Sequence, residues 1–312
     1  MQTAFALDAK YVPASDDRAG YRPWRSAALA MLGEFHYRIN ARAGGYFPGH
    51  HRSVQPGGAF EFRGHVPLLD RPDARRLDVH VSLRDPFGGW VVRDFKQRSS
   101  VPLYVIGDIS ASMGFAGLAG RKLDVLADIL ASAAYSAHRT GDRFGFVACD
   151  TQVREEFFQP PSHLRGAGAA AEKALRGLTP TGKKADGLLD AHKYLARQRA
   201  LIFLVSDFHF PVKLLDDIMQ TLSRHQVIPL VLWDAAEYAN LPNYGFATLR
   251  DSESGRQRSV WMRPKLRERI RAHFAQHRAA MEQIFMQRQS PAVFLQGRFE
   301  PDLLTQYFYS HA

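Results

Sequence analysis

Cysteine is nearly absent. Cys149 is the only one in 312 residues, which excludes an internal disulfide framework and fits a reducing compartment. It closes the run Phe144-Gly145-Phe146-Val147-Ala148 and reads as a small buried apolar side chain. Long apolar runs are also missing. Leu201 to Val205 and Val227 to Trp233 fall far short of the roughly 20 residues that span a bilayer. The first ten residues lack the basic-then-apolar order of a signal peptide, so the expected location is cytoplasmic and unanchored. Acids are outnumbered, giving a formal charge of +10, yet only nine of the 41 basic residues are lysine. The arginines are scattered, and the densest run, Arg263-Pro264-Lys265-Leu266-Arg267-Glu268-Arg269-Ile270-Arg271, reads as the exposed face of a helix with Leu266, Ile270, Phe274 and Met281 turned inward.

Signatures of catalysis and of nucleic-acid binding are absent as well. There is no Gly-x-Ser-x-Gly elbow and no His-Glu-x-x-His, the 13 histidines are dispersed, and Gly177 to Lys184 lacks the spacing of a phosphate loop. The chain is therefore not expected to be an enzyme; a metal-dependent hydrolase using His209 beside Asp207 as base is the enzymatic alternative. With no zinc knuckle, ribonucleoprotein signature or helix-turn-helix spacing, nucleic-acid binding through the basic surface stands as a second alternative.

What is present is an ordinary globular composition, 46% apolar and 23% charged, in two textures. Residues 1–98 carry an amphipathic helix expected from Trp24 to about Ala43, then extended pieces at 59–62, 76–83 and 90–95, the last two flanking a turn at Asp85-Pro86-Phe87-Gly88-Gly89. Residues 99–312 alternate apolar strands, expected at 101–107, 143–149, 201–206, 226–232 and 291–296 with an edge strand near 153–158, with helices near 120–139, 167–178, 185–197, 213–223, 263–288 and 301–309. A hairpin is inserted at about 236–262. The expected fold is α/β: a doubly wound, mainly parallel, Rossmann-like sheet with a small β-rich N-terminal region.

Two of those strands end in acids. The first runs into Asp108-Ile109-Ser110-Ala111-Ser112-Met113, the second into Ser206-Asp207. In such sheets ligands bind beyond the carboxyl ends of the strands, and a carboxylate with two hydroxyls from one turn is a ligand set for a hard divalent cation such as Mg²⁺. An Asp followed by hydroxyl residues also makes an ordinary Asx turn or helix cap. In its context the loop resembles the metal-ion-dependent adhesion site of von Willebrand factor type A domains, where an Asp-x-Ser-x-Ser loop, a threonine from a second loop and an aspartate from a third surround one ion. The resemblance assigns Asp108, Ser110, Ser112 and Asp207 as metal residues. It departs at Thr179-Pro180-Thr181-Gly182-Lys183-Lys184, where Lys183 aligns with the threonine. Either Thr181 supplies the hydroxyl, or the Lys183 ammonium stands in for the ion.

A narrower resemblance rests on Gly49-His50-His51-Arg52-Ser53, Gly57-Gly58-Ala59-Phe60-Glu61-Phe62-Arg63, Asp73-Ala74-Arg75-Arg76-Leu77-Asp78, Arg84 and Val92-Arg93-Asp94-Phe95. In that order these resemble an uncharacterised bacterial family encoded beside MoxR-type AAA+ ATPases, which includes MxaS of methanol dehydrogenase gene clusters. The chain departs from it at Val79, where tryptophan is usual, and over His65 to Asp70. The resemblance implies a non-enzymatic, chaperone-like adaptor. It would work with a MoxR-type ATPase, and with a client protein or other von Willebrand A-like proteins, in maturing a client complex, methanol dehydrogenase being the client it points to. The same residues admit a structural reading, in which Asp73, Arg75, Asp78 and Arg84 form buried ion pairs.

Overall fold

The structure, a computed structural model, describes residues 33–39, 48–117, 120–164, 166, 168–234, 237, 244–250 and 257–311. Twelve strands appear among these residues. β1 (Pro48–Pro67) and β2 (Val91–Ser99) pair antiparallel, as do β4 (Ala116–Gly117) with β5 (Gly120–Arg121) and β10 (Gly245–Arg250) with β11 (Gln257–Met262). The other six form one sheet: β3 (Pro102–Asp108), β6 (Arg143–Cys149), β7 (Gln159–Ser162), β8 (Leu201–Ser206), β9 (Gln226–Leu232) and β12 (Val293–Leu295), in the spatial order β12-β9-β8-β3-β6-β7. All neighbours are parallel except the edge pair β6 and β7.

β3, β8 and β9 are nearly continuous apolar runs because both their faces are covered. Successive strand side chains point to opposite faces, and they enter two separate cores. Leu103, Val105, Phe144, Phe146, Phe203, Val205 and Leu230 pack with α2 (Lys122–Arg139), α3 (Ala169–Gly177) and α6 (Pro301–Ser310). Tyr104, Ile106, Val147, Ile202, Leu204 and Val231 pack on the other face with α4 (Val212–Thr221) and α5 (Pro264–Gln287). Cys149 lies in this second core, and burial pushes its thiol well up. In α5, Phe274, Met281 and Phe285 are buried, Leu266 and Ile270 partly so, while Lys265 and Arg269, and Arg263 just before the helix, are exposed.

Several local expectations differ from what is observed. Residues 33–39 are not helical; the rest of the helix expected from Trp24 lies outside the described residues. This stretch inserts Phe35 and Tyr37 into the first core, Phe35 against Phe203 and Tyr37 against Phe308. It is tied down by Ser136 Oγ, which accepts from Phe35 N at 3.0 Å, and by the Tyr37 hydroxyl donating to Asp142. Residues 76–83 are not a strand either. Asp78 caps α1 (Val79–Ser82) by accepting from Val81 N, and Ser82 Oγ donates to the Asp78 carbonyl. Side chain to backbone bonds thus override the β-branched alternation of Val79 and Val81, and the partner of β2 is β1. Over 185–197 two 3₁₀ turns, Asp186–Leu189 and Ala191–Tyr194, replace the expected helix. The edge strand falls at 159–162 rather than 153–158.

The expected ion pairs of the small β region are also rearranged. Asp78 pairs with Arg93 (2.8 Å) and His65 (3.1 Å), and Asp73 with Arg76. Arg75 and Arg84 are exposed and form no ion pair among the described residues. Buried Asp94 takes Arg71 and Arg63 instead.

Candidate functional site

Each of the four central strands delivers an acid to the same rim: Asp108 closing β3, Asp150 after β6, Asp207 after β8 and Asp234 beyond β9. Their parallel alignment puts all four carboxyl ends on one side. All four acids are buried, so each must find a partner or shift its proton affinity.

Asp108 is held from both sides. Its Oδ1 accepts from Ser110 N at 2.8 Å, an Asx turn, and its Oδ2 accepts from Ser206 Oγ at 2.6 Å. The loop is moored by Ile109 N donating to the Cys149 carbonyl and by Ala111 N donating to the Gly182 carbonyl. Ser110 Oγ and Ser112 Oγ lie 3.1 Å apart, and the Ser112 hydroxyl also bonds the Asp207 carboxylate. Burial first, then the nearby Asp207 carboxylate, push Asp108 up to about 6.

Asp207 has a cation of its own. Lys122, the first residue of α2, is buried and donates from Nζ to Asp207 Oδ2 at 2.9 Å and to Glu237 Oε1 at 2.5 Å. The serine loop leads into the short β4–β5 hairpin, which delivers Lys122 to the rim. That hairpin packs tightly, since a Cβ at Gly117 would overlap the Asp234 carboxylate. Burial works to raise Asp207, but the Lys122 ammonium, aided by its hydrogen bond and that of Ser112, outweighs it and brings Asp207 down to about 2. Burial would likewise neutralise Lys122, yet Asp207 and Glu237 hold its proton more tightly than usual.

The remaining wall is aromatic. His209 N donates to Asp207 Oδ1 at 3.3 Å, and its Nε2 lies 3.6 Å from Glu237 Oε1. Its ring stacks with Trp233, which also stacks with His277; Trp233 Nε1 donates to the Asp207 carbonyl at 2.7 Å. Between Asp207 and His209, Phe208 takes φ +53°, the left-handed region that non-glycine residues rarely adopt.

The structure therefore brings Asp108, Ser110, Ser112 and Asp207 together. The third loop lies beside them through the Ser110–Gly182 bridge, and a Cβ at Gly182 would overlap Asp150. Thr181 is exposed. Lys183, proposed from sequence as the ion's substitute, is exposed and forms no ion pair among the described residues. The ammonium on Asp207 belongs to Lys122, which sequence reasoning missed together with Glu237, Asp234 and Asp150. One signal for Lys122 was available: a lysine opening a helix opposes the macrodipole, just ahead of the apolar stripe Leu123, Leu126 and Leu130.

The donor set fits a hard divalent ion. The oxygens are two hydroxyls and buried carboxylates, and three buried carboxylates (Asp108, Asp207, Glu237) face one buried ammonium, a charge deficit that a divalent cation would close. Asp207, His209 and Glu237 also lie close enough together to hold a metal. That position, however, already has its cation in Lys122.

No helix among the described residues is long and apolar enough to cross a membrane. Residues 71–280 match the family described as "Protein of unknown function DUF58". An uncharacterized protein of Mycobacterium tuberculosis strain H37Rv, Rv1480, is 25% identical over 265 residues, covering 82% of this chain and 80% of its own. Among solved structures, BatB of Bacteroides thetaiotaomicron aligns with 13% identity over 68% of this chain and 98% of its own, at a TM-score of 0.43. An aerotolerance-related membrane protein of Bacteroides fragilis aligns at 11% identity over the same shares, at a TM-score of 0.40.

Proposed function

The chain belongs to the DUF58 family, whose function is unknown, and from that premise and the geometry of the rim we propose that it is a non-enzymatic adaptor. It grasps a partner with a von Willebrand A-like, doubly wound domain. The observation that carries this reading is the meeting of the Asp108-Ser110-Ser112 loop with Asp207 at the carboxyl end of a parallel sheet. Asp108, Ser110 and Ser112 hold Mg²⁺ in the active form, with Asp207 behind them and Thr181 in the neighbouring loop. A bound Mg²⁺ supplies a Lewis-acid centre that can accept an oxygen ligand from the partner. The chain's own residues orient the hydroxyls and exclude water beneath them.

The sequence resemblance to the MoxR-associated family supplies the rest of the proposal. The adaptor acts in the cytoplasm with a MoxR-type AAA+ ATPase to mature a client complex, methanol dehydrogenase being the candidate client. At the rim, among the described residues, the two serine hydroxyls face each other and Asp207, while His209 Nε2 faces Glu237, an arrangement that suits ion holding. The test is a pull-down with a MoxR-type AAA+ ATPase, with and without ATP and Mg²⁺. Retention that Asp108→Ala abolishes is the expected result; no retention under any condition removes the adaptor reading. Steeply salt-dependent retention on DNA or RNA would favour the basic face of α5 instead.

A further inference from the structure

Lys122 is an unusual residue to find where it is. A buried ammonium loses its hydration and is tolerated only against good partners. Lys122 also opens an 18-residue helix, at the end where positive charge is disfavoured. Its two partners come from different parts of the rim, Asp207 from the end of β8 and Glu237 from beyond β9, and its ammonium also lies 5.5 Å from the Phe115 ring centre. The Asp207 oxygen it holds is the one facing away from the His209 backbone contact. The same carboxylate bonds the Ser112 hydroxyl. One carboxylate is thus shared between the serine loop and a tethered cation.

We propose that Lys122 is a built-in competitor for the rim cation. Its ammonium occupies Asp207 when no divalent ion is bound, giving Asp207 and Glu237 a shared cation, and its charge sets the affinity for a divalent ion low. A divalent ion seated at Ser110 and Ser112 draws Asp207 toward itself, and the ammonium then rests on Glu237. Glu237 follows Trp233 and Asp234, whose backbone N–H it accepts at 3.2 Å, so the exchange links ion occupancy to the chain leaving β9. A small cavity bordered by Gly120, Lys122, Trp233, Asp234 and Gly297 lies beside the Lys122 side chain. The inference rests on the rim being a divalent-ion site.

The test is calorimetric titration of the full chain with MgCl₂ alone, in wild type, Lys122→Met and Lys122→Met/Glu237→Gln, with Asp108→Ala added to each. The double variant keeps the net charge and removes both members of the buried pair, so it remains informative if the single variant fails to fold. The expected result is Mg²⁺ binding at least about tenfold tighter in both variants than in wild type, cancelled by Asp108→Ala. Binding by the variants alone, with none in wild type, supports the same proposal in its strongest form. Affinity in the double variant equal to or weaker than wild type overturns it and leaves the ion site standing, since Lys122 would then be a structural partner of Asp207 and Glu237 that does not compete with the ion. No binding in any form removes both.

Discussion

Two networks of buried aspartates can be compared, and they are built on opposite plans. In the small β region, Asp78 and Asp94 each receive cationic side chains whose outer parts stay in water: Arg93 is 52% exposed, Arg63 61% and Arg71 33%. Each carboxylate is matched locally, and Arg93 and His65 hold Asp78 well below the usual carboxylate range. At the rim, Asp108, Asp207 and Glu237 are all buried, and one buried lysine serves the last two. The first plan fixes a turn against a hairpin. The second leaves charge uncompensated where two hydroxyls converge, an arrangement that costs stability unless something further binds.

The strongest way to break this contrast is to remove one partner in each network. Lys122→Met should destabilise the fold by about 3–5 kcal/mol, the usual cost of leaving buried charge unpaired, read by urea unfolding. A loss as small as that of an exposed pair would mean that water reaches the rim. An intermediate effect is expected from pH. Asp108 holds its proton up to about 6 in the folded state, against roughly 4 when unfolded. Its contribution is therefore fully present below about pH 4 and is lost as pH rises through 6. Asp78 has the opposite sign, stabilising above the ordinary carboxylate range and losing that contribution on acidification. Thermal midpoints between pH 4 and 7 should show the Asp108 limb, and Asp108→Asn should flatten it. The smallest effect is expected for Asp94→Ala, about 1–2 kcal/mol, because its arginines can return to water. It should leave Mg²⁺ binding unchanged; a change there would show that the two networks communicate.

The parallel strands were legible because burial on both faces writes them as unbroken apolar runs, as in Leu201 to Ser206. The serine loop was legible because its ligands lie within five residues. Residues 76–83 were misread because a two-residue period in Val79 and Val81 competes with caps from Asp78 and Ser82, and in so short a segment the caps prevail. The turns at 186–194 carry helix-forming residues, yet a Cβ at Gly187 would overlap the Gln152 backbone, a contact that only the fold reveals. Lys122 and Glu237 are 115 residues apart, and nothing local marks them as partners. Lysines are so often solvated that a single one opening a helix carries no sign of burial, whereas Lys183 stands out because it aligns with the expected threonine.

Trp233 gives the rim an optical label. Its indole is buried, stacked with His209 and His277, and bonded to the Asp207 carbonyl, whereas Trp90 and Trp261 are about half exposed. Buried and solvated indoles emit at different wavelengths, so among the described tryptophans the blue edge of the emission belongs to the residue that touches the backbone of Asp207. A change in what occupies that carboxylate would be visible there without any added dye.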